Sequence, residues 1–138
     1  MNATEHEALG DQPLIYVMKE LGGWPVALGS QWNESDFSLE AALVRLKQLG
    51  YDHDFLAKIE IAPHILAHQY NLIYIGVPEL GLEDKSYYTD STYESTLQAY
   101  LKFMMQAAVE LGSKASSKEI QEEMQAVLDF EKNIAKVC

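Results

Sequence analysis

The 138-residue sequence suits one domain with a single core, because a folded chain of this length buries roughly 68% of the surface its unfolded form exposes. Ten Lys and Arg against 21 Asp and Glu give a formal charge of -11, which repels nucleic-acid backbones and anionic membrane surfaces and excludes both as partners. No apolar run approaches the roughly 18 residues that span a bilayer. The first seven residues lack the basic start and apolar core of a signal peptide, and the only cysteine, Cys138, has no second thiol to pair with.

Residues 1 to 10 are polar and expected to be loose. Asp11 reads as the N-cap of a short amphipathic helix, with Pro13 in its first turn, Leu14, Val17, Met18 and Leu21 on its apolar side and Gly22-Gly23 as its stop. Trp24-Pro25-Val26 then leads into a polar loop, Ser30 to Asp36. That loop carries Asn33-Glu34-Ser35, an acceptor sequence for N-glycosylation, and Asn2-Ala3-Thr4 is a second one. Sugar attachment at Asn2 or Asn33 requires a secretory route. Two such sequences without a leader predict an internal segment of a longer chain.

Ser38 is placed to start the next helix, whose stripe of Leu39, Ala42, Leu43, Leu46 and Leu49 ends at Gly50. Arg45, the only arginine, falls off the stripe and reads as a solvated surface charge. Lys58 to Ala62 alternates polar and apolar residues as a half-buried strand does, with Pro63 as its end. The apolar run Leu72-Ile73-Tyr74-Ile75 makes a second strand, so a small antiparallel hairpin is predicted, with a long connection holding His64 and His68. These imidazoles would share a helix face at this spacing. No third ligand accompanies them, and they read as loop residues rather than a metal site. After Gly76, Pro78 pushes Val77 into an extended conformation, and Gly81 is expected to supply a turn that other residues would resist.

The longest helix is predicted from Asp90 or Ser91 to Gly112, with Tyr93, Leu97, Tyr100, Leu101, Met104, Ala108 and Leu111 on one side. Ser116 and Glu119 form a capping box for the last helix, whose apolar side holds Ile120, Met124, Val127, Leu128, Ile134 and Ala135. Glu131 lies on that same side. A carboxylate there must be paired or protonated, and the favoured reading is a structural group accepting hydrogen bonds, with a general base as the sharper alternative. The expected fold is mainly α: one domain over residues 1–138, about four helices and one small antiparallel hairpin.

Four stretches carry a family resemblance. Ile73-Tyr74-Ile75 followed by Pro78-Glu79-Leu80-Gly81-Leu82, Asp84, Tyr87 and Tyr88 resembles the strand and QPxLGLPxRDYY segment near the amino terminus of the neprilysin family of zinc metallopeptidases, which includes the endothelin-converting enzymes. Gly22-Gly23-Trp24-Pro25-Val26 resembles the family's GGWP, Tyr100 to Met104 its Y-x-x-F-M helix, and Val127 to Glu131 with Ile134-Ala135 its V-x-x-F/L-E-x-x-I/L-A helix. The order is kept across nearly the whole chain. Glu83 and Lys85 stand where the family has Pro and Arg, and no cysteine precedes the Tyr100 helix.

The resemblance implies a segment of the helical amino-terminal lobe of a peptidase that cleaves small peptides, the lobe enclosing a cavity and partnered by the catalytic lobe of the same parent chain. Zinc would belong to the parent, held by a helical His-Glu-x-x-His. The only His-Glu here, His6-Glu7, is followed by Ala8-Leu9-Gly10, so no catalytic or metal residue and no cofactor is assigned to this segment. Trp24, Pro78, Gly81, Tyr87, Tyr88 and Glu131 are assigned structural positions. The alternative is a binding or adhesion ectodomain without catalysis.

Overall fold

The computed structural model describes residues 10–51 and 54–137, and all structural statements concern these. The expected Asn2 glycosylation site, His6-Glu7 and Cys138 lie outside them. Six α-helices and one two-stranded sheet are present: α1 (Gln12–Glu20), α2 (Pro25–Leu28), α3 (Leu39–Gln48), β1 (Lys58–His64), β2 (Ala67–Gly76), α4 (Ser86–Thr89), α5 (Glu94–Glu110) and α6 (Ser117–Val137). Mainly α with one antiparallel hairpin is therefore the observed class. The two extra helices are single turns. Pro25 starts α2 with a φ already set for a helix, and Ser86–Thr89 includes the two tyrosines of the family stretch.

The helix stops follow from the residues. Gly22, Gly50 and Gly112 all have positive φ just beyond α1, α3 and α5, where other side chains are strained. Ser38 accepts from Ala41 N–H at 3.3 Å to cap α3. Ser116 and Glu119 bond reciprocally, at 2.7 and 3.3 Å, to open α6. Asp11 departs from expectation: it stands at the start of α1 in a helical backbone conformation and its side chain caps nothing, Pro13 having no N–H to offer and Leu14 N–H bonding to the Asp11 C=O at 3.0 Å.

Three further expectations are corrected. The longest helix is α6, with 21 residues against 17 in α5, and a 3-10 turn at Ser91–Tyr93, capped by the Asp90 carboxylate at 2.8 Å, separates Asp90 from α5. Strand β1 runs through Pro63 to His64: in a two-stranded sheet each strand has an open edge, so a missing N–H costs no ladder bond, and the register breaks between Pro63 and His64. The hairpin connection is short, only Ile65 and Leu66, with His64 Nδ1 accepting from Leu66 N–H at 3.1 Å.

The core sits where α5 and α6 pack with α4 and α2. Leu97, Leu101 and Ala108 from α5 meet Ile120, Met124, Leu128 and Ala135 from α6, with Tyr88 and Val26 closing the cluster. Val127 is exposed, so the buried side of α6 is narrower than the sequence pattern suggested. Ser113 ties α2 to the α5–α6 turn by donating to Val26 C=O at 2.6 Å. Arg45 is not a free surface charge. It crosses from α3 to pair with Glu20 of α1 through Nε at 3.0 Å and through Nη2.

Candidate functional site

The densest side-chain constellation is built around Glu131 on α6. Its Oε1 accepts from Gly81 N–H at 3.1 Å and from the Tyr100 hydroxyl at 3.4 Å, and its Oε2 accepts from the Tyr88 hydroxyl at 3.2 Å. Tyr88 is itself an acceptor, taking Leu82 N–H at 2.7 Å. One carboxylate thus joins three distant parts of the chain: the 81–82 turn, α4 and α5. Hydrogen bonds to a charged acceptor are the stronger kind, and each oxygen here is used.

Gly81 explains why the turn can come so close. It is absent from the glycines with positive φ, so the expected conformational reason does not apply. The reason is space: a Cβ at this position would lie 1.9 Å from Tyr100 Oη, 2.8 Å from its Cζ and 3.0 Å from Glu131 Oε1. Only a residue without a side chain lets its N–H reach the carboxylate while Tyr100 stays in place.

The electrostatics follow from the packing. Burial, reinforced by the Glu131 charge and hydrogen bond, pushes the Tyr100 phenol up to about 12. Burial also raises Tyr88, the Leu82 N–H opposing and Glu131 adding to the rise. Both hydroxyls stay protonated at neutral pH and act as donors toward the carboxylate. Beside this cluster Asp54, Phe55, Glu79, Leu80, Gly81 and Glu131 line a shallow open depression. Glu79 N–H donates to Asp54 C=O at 2.9 Å, and Lys58 stands 3.8 Å from the Glu79 carboxylate.

Of the residues singled out from sequence, the structure brings together Gly81, Tyr88 and Glu131. Tyr87 points elsewhere, edge-on to Tyr93 with centroids 4.8 Å apart. Trp24 is half-buried against the core near α2, and Pro78 is half-buried where the chain leaves β2. Asn33 is exposed in its turn, accepting from Ser35 N–H at 3.2 Å and donating through Nδ2 to Asp36 at 3.0 Å. Tyr100 is the member that sequence reading placed on an apolar stripe and in the Y-x-x-F-M segment, without a hydrogen-bonding role. Its hydroxyl reaches Glu131 across 31 positions, a contact no local pattern encodes.

The described residues do not fit a zinc site. Among the described residues no group of three or more His, Cys, Asp or Glu side chains could hold a metal ion, and His64 and His68 lie on different strands rather than one helix turn. Among the same residues no helix is long and apolar enough to cross a membrane.

The described residues form a mainly helical unit in which one carboxylate ties the 81–82 turn, α4 and α5 to α6. Comparison with known proteins decides the family. The sequence pattern of peptidase family M13 matches residues 1–138, and the chain belongs to that family. It is 33% identical to membrane metallo-endopeptidase-like 1 of Homo sapiens over 144 aligned positions, covering 99% of this chain and 18% of that protein. It is 28% identical to neprilysin-2 of Drosophila melanogaster, covering 99% of this chain and 17% of the relative, and 29% identical to endothelin-converting enzyme 1 of Bos taurus, covering 99% and 18%. The chain therefore spans less than a fifth of the length of these relatives.

Proposed function

We propose that this segment is part of the non-catalytic helical lobe of a zinc metalloendopeptidase that cleaves small peptides. The observation that carries the reading is the family match over all 138 residues, within relatives more than five times as long, of which two bear names ending in endopeptidase-like 1 or converting enzyme 1. In this reading zinc and its ligands belong to the remainder of the parent chain, and the segment contributes shape. Trp24, Pro78, Gly81, Tyr87, Tyr88 and Glu131 serve to hold that shape, the Glu131 knot fixing the 81–82 turn against α5 and α6. The lobe packs on the catalytic lobe of the same parent and restricts the cavity to small peptides. Asn33 is a glycan acceptor on an extracellular surface, and Asn2 a second.

The test is peptide hydrolysis by the full-length parent and by the 138 residues, each with added zinc and with a chelator. Activity confined to the parent and abolished by chelation is the expected result. An inactive, folded parent would overturn the peptidase reading, and chelator-sensitive cleavage by the 138 residues would overturn the non-catalytic assignment.

A further inference from the structure

The hairpin carries an apolar face that the rest of the described fold leaves uncovered. Pairing sets Ile59 opposite Ile75 and Ile61 opposite Ile73, so period-two alternation places all four isoleucines on one side, while Lys58, Glu60, Ala62, Leu72 and Tyr74 take the other. The exposed fractions of the four are 52, 77, 72 and 70% in the order just given. Contacts of the hairpin are overwhelmingly between its own two strands, and its base is held by the 79–54 backbone bond and the Lys58–Glu79 ion pair.

We propose that this four-isoleucine face is a seat for the part of the parent chain that lies outside these 138 residues. The inference rests on the reading of the segment as a lobe of a longer peptidase, and it names the surface by which the lobe docks. A two-stranded hairpin on its own is marginal in water, and it needs a helix or a further strand on its apolar side to persist. A cover that comes and goes would leave β1 and β2 unsupported, so the cover is a permanent one. Relatives more than five times as long have enough further chain to supply such a cover within one molecule. The chemistry also fits: the face has no charge on a chain of net charge -11, so the surface meeting it is apolar rather than basic.

Hydroxyl-radical footprinting of the wild-type full-length parent, read residue by residue by mass spectrometry, tests this. The reference is the same protein unfolded in guanidinium. Ile59, Ile61, Ile73 and Ile75 are expected to oxidise at least about tenfold more slowly in the native monomer, whereas exposed Glu60-side neighbours such as Tyr70 change little. Oxidation of the isoleucines at the unfolded rate overturns the proposal. So does protection that disappears on dilution together with a dimer by light scattering, since a second copy is then the cover. In the same preparation, chelator-sensitive hydrolysis reports separately on the peptidase reading: an active parent with unprotected isoleucines sinks the docking seat alone, and an inactive parent with protected ones sinks the peptidase reading alone. As a second measurement, Ile61→Lys is expected to reduce the amount of folded parent obtained at least severalfold, and Glu60→Lys is not. Equal yields of the two variants would count against the seat.

Discussion

The α5–α6 core and the hairpin are both rich in branched aliphatic residues, yet they are treated oppositely. Leu128 on α6 is 1% exposed, whereas the isoleucines of β1 and β2 stand mostly in solvent. Hydrophobicity is the same in kind. The difference is the neighbourhood: α6 has α4 and α5 to pack against, and among the described residues the hairpin packs overwhelmingly on itself. Apolar content thus measures the demand for burial, and tertiary contacts decide where that demand is met. A second contrast concerns polar groups, since both oxygens of Glu131 are engaged where α4, α5 and α6 meet, while the hairpin base is held by the 79–54 backbone bond and a long Lys58–Glu79 ion pair.

The sharpest way to break this comparison is to cut both regions alike. Leu128→Ala is expected to destabilise the 138-residue chain by about 3 kcal/mol through lost burial and the cavity left behind. Ile61→Ala, in the hairpin of the same chain, is expected to change stability by less than about 0.5 kcal/mol. Urea unfolding of both variants checks this, and equal losses would mean that the hairpin is packed after all.

Next in size is the carboxylate knot. Glu131→Leu leaves Gly81 N–H and the Tyr100 hydroxyl without their acceptor and is expected to cost about 2 kcal/mol. Gly81→Ala is expected to cost about 2 kcal/mol as well, by driving a methyl into Tyr100. In a Tyr100→Phe background that cost falls, because the atom 1.9 Å away is gone, so the double-mutant cycle shows coupling. Strict additivity would place the strain elsewhere.

The same cluster predicts a pH dependence. Tyr100 and Tyr88 have folded-state values raised above the ordinary tyrosine range, so the folded chain holds protons that the unfolded chain releases. Their contribution is fully present below about pH 10 and declines as pH rises from there, the Tyr100 part being lost through about 12. Unfolding midpoints should therefore fall over this window, and fall less steeply in Tyr100→Phe. A flat profile in the wild type would sink the assignment. Smallest among the packed-region effects is Ser116→Ala, expected to cost about 1 kcal/mol by opening the α6 capping box, measured by thermal unfolding.

Local rules made much of this protein legible from sequence. Positive-φ glycines at 22, 50 and 112, the Ser38 cap and the Ser116–Glu119 box place helix ends because their chemistry acts over a few residues. Alternation found β1, an apolar run found the second half of β2, and Glu131 stood out as a carboxylate on an apolar side. The hairpin's tight connection was not legible, since Ile65-Leu66 carries no turn signature and Pro63 reads as a stop. Nor was the Arg45–Glu20 pair, whose members are 25 residues apart. Only the tertiary structure decided that Gly81 is needed for space rather than for backbone freedom, that Tyr100 shares an acceptor with Tyr88, and that Val127 faces out while Leu128 faces in. Each of these depends on which segments meet, and a chain's periodicity fixes the face of an element without fixing what lies across from it.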